Sequence, residues 1–505
     1  MLTASALIGG GVLLGRVAGL AREIVLSASI GAGGDADVAV LVLTFPDLLT
    51  TILIGGVVSA VLVPDFTLAR ARALSGRTRF WSLEIVAAAS ALVVAIGMVL
   101  AAPVVTRILG PGLPTARLAD AAPLVAVAAA TLPFSALAAV STAYLQAHGR
   151  FAVPAAGTLL FNTALVTAIV FFVHPGLLLP IAVAAVVGSV IRWLSQILAT
   201  RAVHDVGPPA GLRHEELPRL VTRYLQALAA TGLVVLVPYV ARTIASLGEP
   251  GDIAVLTYAS RIVELPLGAF LTVGSIALLP HISERFAIGD REGALRLGQG
   301  GLVATSIVAV PLTVALIWAA YPIALVLFGR GATSPEAVSR IADLARVTLV
   351  TLPAQGAAAL LTAFFVARRR LSIVVIVNGL GVAAFLIVAL ALESLLGVLG
   401  VAVAFAGLHW ALAIALLIVL GFNERLHLSA SGVMLDILMA ATIGMAVFSP
   451  VMLLDQAALG IPGTIALACV AGAAALIASL FAPYRNLPRG TLLVRSLLGS
   501  RTLRS

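Results

Sequence analysis

The stretch LSIVVIVNGLGVAAFLIVALAL, Leu371–Leu392, runs twenty-two residues without a charge. A helix needs about 20 apolar residues to cross the hydrocarbon of a bilayer. The stretch is continuously apolar rather than alternating. That excludes a barrel strand and leaves a helix, the other form that satisfies its own backbone in lipid. Outward from it, similar segments fall near 4–28, 36–66, 81–107, 121–147, 152–174, 176–200, 221–247, 252–281, 297–328, 338–367, 396–420, 431–454 and 458–482. The expected fold is therefore an all-α polytopic membrane protein of about fourteen transmembrane helices. Composition agrees. The 505 residues are 61% hydrophobic and only 10% charged, and the mean hydropathy is +1.14. A soluble globule carries roughly 25% charged residues, so this chain cannot cover itself in water and membrane lipid is its partner.

The single cysteine, Cys469, sits in an apolar run and excludes an intramolecular disulfide framework. No small-residue cleavage site closes the first apolar stretch, which reads as a retained first helix. The net charge of +9 comes from arginine alone, since the chain has no lysine. In a polytopic protein such an excess marks cytoplasmic loops, and no nucleic-acid partner is expected. With the N-terminus inside, alternate gaps hold Arg70, Arg72, Arg77 and Arg79; Arg150; Arg201, Arg213 and Arg219; Arg285, Arg291 and Arg296; Arg368, Arg369 and Arg370; and Arg425. The basic tail, 483–505, adds five more arginines. The opposite gaps hold Asp35, Glu249, Asp252, Glu393 and Asp455, with Arg117 and Arg330 as exceptions. Arginine near helix ends stays on the cytoplasmic side. Both termini are expected in the cytoplasm of a bacterial inner membrane.

The chain also repeats itself. Thr142-Ala143-Tyr144-Leu145-Gln146-Ala147-His148-Gly149-Arg150-Phe151 aligns with Thr362-Ala363-Phe364-Phe365-Val366-Ala367-Arg368-Arg369-Arg370-Leu371. Pro46 and Pro64 align with Pro266 and Pro280. Two parallel six-helix lobes follow, 1–200 and 221–420, joined by a cytoplasmic linker, 201–220, that has room for an interfacial helix. Two further helices fill 431–482. Repeats of this kind are typical of transporters with a site between the halves. No loop is long enough to house an enzyme, and the seven histidines and one cysteine lie in no metal-ligand spacing. Neither catalysis nor a cofactor is expected.

Ionisable groups inside a span are costly and are functional candidates by default. The first segment carries Arg16, flanked by Gly15 and Gly19 that would let the helix bend, and then Arg22 and Glu23. The second carries Asp37 and Asp47, the latter beside Pro46. The eighth carries Arg261 and Glu264, three apart and so on one face. Arg192, Arg242, Asp343, Arg346 and Asp436 complete the set. Guanidinium binds two phosphate oxygens at once, so these arginines suit a cavity for an anionic substrate. Arg16 and Arg261 lie well inside their spans and fit that cavity. Arg22, Glu23, Arg192 and Asp436 equally fit snorkelling or mutual pairing, Glu264 fits a partner for Arg261, and Asp37 fits a helix cap.

These residues resemble the MurJ/MviN family of lipid II flippases, within the MOP exporter superfamily. Gly15-Arg16-Val17-Ala18-Gly19-Leu20-Ala21-Arg22-Glu23 is similar to the family's S-R-V-x-G-x-x-R-[DE]. Gly31-Ala32-Gly33 and Asp37 follow as in its G-A-G and T-D-A. Phe45-Pro46-Asp47-Leu48-Leu49 resembles L-P-N-L-L, and Gly56, Ser59 and Val63-Pro64 resemble E-G-A-x-S then V-P. Tyr258-Ala259-Ser260-Arg261-Ile262-Val263-Glu264-Leu265-Pro266 resembles Y-A-D-R-L-x-x-x-P, and Gly149-Arg150-Phe151-Ala152-Val153-Pro154 the basic-Phe-Ala-x-Pro step. The chain departs where Thr50 and Thr51 replace an Arg-Arg pair, Gly55 a glutamate and Ser260 an aspartate.

The resemblance implies a MATE/MOP-like V of two lobes. It implies translocation of an undecaprenyl-pyrophosphate-linked glycan precursor, lipid II of peptidoglycan, from the inner to the outer leaflet by alternating access. It assigns substrate binding to Arg16, Arg22 and Arg261, with Asp37 as a further position, and suggests cell-wall synthesis enzymes as partners; Glu264 joins the candidate binding residues as the expected partner of Arg261. A flippase for exopolysaccharide or other surface-glycan precursors and a small-molecule exporter of the superfamily stay open as alternatives.

Overall fold

A computed structural model describes residues 2–481 apart from 50, 53–57, 73, 206, 209–211, 213, 269–271, 369, 425–429, 453 and 455. Thr50, Gly55, Gly56, Arg213, Arg369, Arg425, Asp455 and the tail 483–505 therefore lie outside the described residues, as does the side chain of Asp436.

The first half is a series of nine helices: α1 (Leu2–Ile30), α2 (Gly34–Leu49), α3 (Val58–Ala71), α4 (Arg77–Leu100), α5 (Ala102–Leu109), α6 (Thr115–Ala129), α7 (Thr131–Ala147), α8 (Ala152–Phe172) and α9 (Leu179–Thr200). A second series has the same order: α10 (Leu217–Ala245), α11 (Asp252–Pro266), α12 (Thr272–Ala287), α13 (Arg291–Trp318), α14 (Ala320–Phe328), α15 (Pro335–Leu349), α16 (Thr351–Ala367), α17 (Leu371–Leu396) and α18 (Val398–Glu424). Two helices follow, α19 (Ala430–Met452) and α20 (Gln456–Phe481). Corresponding breaks fall at Ala101 and Ala319 and at Ala130 and Val350. The second pair has a shared cause: Thr131-Leu132-Pro133 and Thr351-Leu352-Pro353 each open the helix after the break. Proline offers no N–H to the turn before it and its ring crowds that turn. The repeat read from short motifs is thus a repeat of element order and of the places where helices break.

Among the described residues, nine helices are long and apolar enough to cross a membrane. A tenth counts if Leu217–Leu228 and Leu233–Ala245, bent by 61°, form one span. The segments expected near 4–28, 36–66, 252–281 and 431–454 run over residues that the structure does not describe in full. The linker holds one 3-10 turn, His214–Glu216, and passes directly into α10 with no separate interfacial helix among the described residues. On α4, α17 and α20 large apolar side chains stand exposed, including Val93, Leu100, Leu380, Ile387 and Val470. Such surface is tenable only where lipid replaces water.

The chain forms two compact units that interleave along the sequence. The first comprises 1–261, 327–337 and 386–401, the second 262–326, 338–385 and 402–505. In the first unit Tyr144 anchors an aromatic core, 5.3 Å from Phe66 and 4.6 Å from Phe80 between ring centroids. Its hydroxyl donates to Asp205 at 2.8 Å. In the second, Leu302, Leu360, Leu361, Phe364, Phe365 and Leu416 bury one another between α13, α16 and α18.

Candidate functional site

The site lies in the first unit. Arg22 on α1 is buried, its side chain 2% exposed. Its Nη1 and Nη2 donate to both carboxylate oxygens of Asp47 at 2.9 and 2.7 Å. Nη2 also donates to Glu23 Oε1 at 2.7 Å. Arg261 on α11 reaches the same two acids at longer range, 3.3 Å to Glu23 and 3.5 Å to Asp47. Two guanidiniums thus share two carboxylates, one tightly and bidentately, one loosely. Pro46 stands inside α2 next to Asp47.

Two more arginines surround this core. Arg242 lies 5.3 Å over the ring of Tyr239, whose hydroxyl meets that of Thr51 at 3.3 Å. Arg192 is buried, stacks 5.2 Å over Phe161 and donates to the Thr158 hydroxyl at 2.8 Å. Both are close enough for their charges to act on Asp47. Arg22 and Arg261 thus hold Glu23 and Asp47 between them, with Arg242 and Arg192 near Asp47. Guanidiniums held in planar forks are suited to a phosphate or pyrophosphate group.

The other sequence candidates fall as follows. Arg16 is half-buried on α1, between one and two turns before Arg22. α1 runs as one helix through Gly15 and Gly19. Gly15 admits α8, whose Thr158 methyl lies 3.0 Å from where a Cβ would stand. Glu264 is half-buried on α11 one turn after Arg261, and Glu23 and Asp47 are among the acids that meet Arg261. Asp37 is buried in the first turn of α2, but it caps a different helix. Its carboxylate accepts from Gly251 N at 2.6 Å and Ala254 N at 2.9 Å, at the start of α11. Asp47, the centre of the network, was legible only as an in-span charge beside a proline. The adjacency of Arg22 and Glu23 was the one signal that charge and countercharge come together.

Beyond Asp37, the C-terminal end of α1 is sealed by backbone contacts. Ala332 N donates to Ala28 O at 2.8 Å, the Thr333 hydroxyl to Ser27 O at 2.8 Å and the Tyr258 hydroxyl to Gly31 O at 3.2 Å. Glycine is required where the chains meet. Gly251 has φ +99° and Gly331 φ +65°, and a Cβ on either would lie 2.1 Å from a carbonyl oxygen, of Ala32 and Ala28 respectively. Arg117 pairs with Asp35 at the same end, and Asp35 accepts from Gly176 N at 2.8 Å. Among the described residues no cluster of His, Cys, Asp and Glu is arranged to hold a metal ion.

A helical repeat with exposed apolar flanks and a network of guanidiniums and carboxylates buried among its spans describes a polytopic membrane protein with a charged interior. The family model of lipid II flippase MurJ matches residues 26–470, and the chain belongs to that family. It is 27% identical over 367 residues to a lipid II flippase MurJ of Burkholderia cenocepacia, covering 66% of this chain and 67% of that protein. It is also 27% identical over 430 residues to a probable lipid II flippase MurJ of Rhizobium meliloti, covering 81% of this chain and 79% of that one. Among solved structures, a lipid II flippase MurJ in an inward closed conformation superposes with a TM-score of 0.79 at 17% identity, over 98% of this chain and 100% of that one. An inward-facing multidrug-resistance MATE transporter of the MOP superfamily superposes at 0.69 and 13% identity, over 81% and 94%. At these identities the two superpositions speak for the fold alone.

Proposed function

We propose that this protein moves lipid II, the undecaprenyl-pyrophosphate-linked peptidoglycan precursor, from the inner to the outer leaflet of a bacterial plasma membrane by alternating access. The observation that carries the reading is the gathering of Arg22 and Arg261 on one shared carboxylate, Asp47, inside the span region of a chain of the MurJ family. An arriving pyrophosphate competes with Glu23 and Asp47 for the arginines. Arg261, with contacts of 3.3 and 3.5 Å, exchanges first; Arg22, held bidentately at 2.7 and 2.9 Å, orders the acids that the substrate displaces. Arg16 receives the remainder of the head group, and the prenyl tail stays in lipid. Asp37 and Glu264 act on α11, the helix that presents Arg261.

Arginine placement supports both termini in the cytoplasm, which puts the sealed end of α1 on the outer side. The Asp37 cap and the Gly251 and Gly331 contacts then form an outer gate that opens for release. The enzymes that make and consume the precursor are the natural neighbours. The test is growth of a host whose own lipid II flippase is depleted. The unaltered chain restores growth, while Arg22→Gln and Arg261→Gln, inserted at normal levels, do not. Rescue by both variants overturns the assignment of the arginines, and failure of the unaltered chain, well expressed, overturns the substrate.

A further inference from the structure

One guanidinium beside Asp47 stands outside the carboxylate network. Arg242, in the last turn of α10, is only 8% exposed. Asp47 and Glu23 are taken up by Arg22 and Arg261. Among the described residues the guanidinium of Arg242 meets the ring of Tyr239, 5.3 Å from its centroid, and no carboxylate. Asp47 is near enough to feel its charge without touching it. A buried charge that lacks a partner is among the costliest arrangements inside a span. A place over an aromatic face and at the C-terminal end of a helix recovers part of that cost and no more. The countercharge has therefore to come from outside the chain.

The position of Arg242 is fixed. The Thr51 hydroxyl gives its single hydrogen to Asp47 O at 2.8 Å. In its 3.3 Å contact with Tyr239 it can then only accept, and the Tyr239 hydroxyl donates. A chain of contacts thus runs from the backbone of Asp47 through Thr51 and Tyr239 to the guanidinium. It ties α10 to the residues that follow α2 and sets Arg242 beside the acid that Arg22 and Arg261 share. Those two must give up a carboxylate before they take another anion. Arg242 has none to give up.

We propose that Arg242 is a further substrate-binding residue, the one that makes the first ion pair with the phosphate-bearing head group, and that Tyr239 positions it. This rests on the flippase reading above and adds a residue to that site. The planar fork of Arg242 takes two phosphate oxygens at once. The bound anion then stands close to Asp47, and like charges repel. That repulsion loosens the 3.5 Å contact between Asp47 and Arg261, so Arg261 passes to the head group next.

The test is native mass spectrometry of the full-length protein in detergent, titrated with undecaprenyl pyrophosphate or with undecaprenol, which has the same tail and no phosphate. The melting midpoint is recorded for each variant. Arg242→Gln is expected to retain the pyrophosphate at least about tenfold less, the worth of one hydrogen bond to a charged group. Its retention of undecaprenol and its melting midpoint stay as in the unaltered protein, because no carboxylate is stranded. Unchanged retention of the pyrophosphate overturns the proposal. So does a lowered midpoint with an equal loss of both lipids, which marks a structural role. If Arg242→Gln does not fold, Tyr239→Leu serves: it removes the ring and leaves the charge. About fivefold weaker retention of the pyrophosphate is expected there, and full retention counts against the positioning. An unaltered protein that holds the pyrophosphate no better than undecaprenol overturns the flippase reading and this proposal with it, whereas a defect confined to neither variant overturns this proposal alone.

Discussion

Asp47→Asn is the most informative single change. It keeps the shape of the side chain and one acceptor oxygen, and it removes the charge that both Arg22 and Arg261 share. Opposite charges about 4 Å apart attract by about 4 kcal/mol at an effective dielectric near 20. Desolvation offsets much of that in the intact network, but once one partner is gone the other stays buried and uncompensated, which costs about 3–5 kcal/mol. An average interhelical polar contact in a membrane contributes only about 0.6 kcal/mol. The bidentate geometry and the 2% exposure of Arg22 decide between these figures, because the guanidinium, left with Glu23 as its one charged partner in the network, has no water to turn to. The expected loss is therefore about 3 kcal/mol, seen as a fall of several degrees in the melting midpoint of the purified protein in detergent. Arg22→Gln falls comparably. The double variant costs less than the sum, with a coupling of about 1–3 kcal/mol. In the flipping assay Asp47→Asn binds the precursor more tightly and turns over more slowly, because the acid that recaptures the arginines on release is gone. Strict additivity of the two substitutions, or an unchanged melting midpoint in Asp47→Asn, refutes the shared-carboxylate argument.

Further outcomes are expected at the gate, at the linker and in the topology. Asp37→Ala strands the N–H groups of Gly251 and Ala254, each at about 1–3 kcal/mol. It opens the outer end of α1, read as faster labelling of Ser27→Cys by an impermeant maleimide together with loss of complementation. Gly251→Val has the same effect by a different route, since its Cβ falls 2.1 Å from Ala32 O. Arg79→Gln breaks a bridge from Asp65, 3.0 Å from Nη2, to Glu216, 2.6 Å from Nη1. With Glu216 36% exposed, the cost is about 1 kcal/mol, and a thermal-stability series over salt concentration checks it. In a Cys469→Ser background, Pro250→Cys labels in intact cells and His204→Cys only after permeabilisation. The reverse pattern inverts the topology.

The polytopic helical fold and the repeat were legible in the sequence, because both rest on local properties. Lipid demands long apolar helices wherever they pack, and proline breaks a helix through its own ring and missing N–H. Pro133 and Pro353 therefore mark equivalent breaks. Arg22 and Arg261 were legible as costly in-span charges. What they touch was not, since hydropathy gives the price of a buried charge without saying which helix supplies its partner. Asp37 shows the difference best. In the sequence it stands at the start of α2 and reads as the cap of its own helix, yet it caps α11, more than two hundred residues away. Whether Arg22 and Arg261 share two acids, or stand apart as snorkelling side chains, depends on helix rotation and crossing. Those are set by packing between elements distant in the chain, and only the tertiary structure decided them.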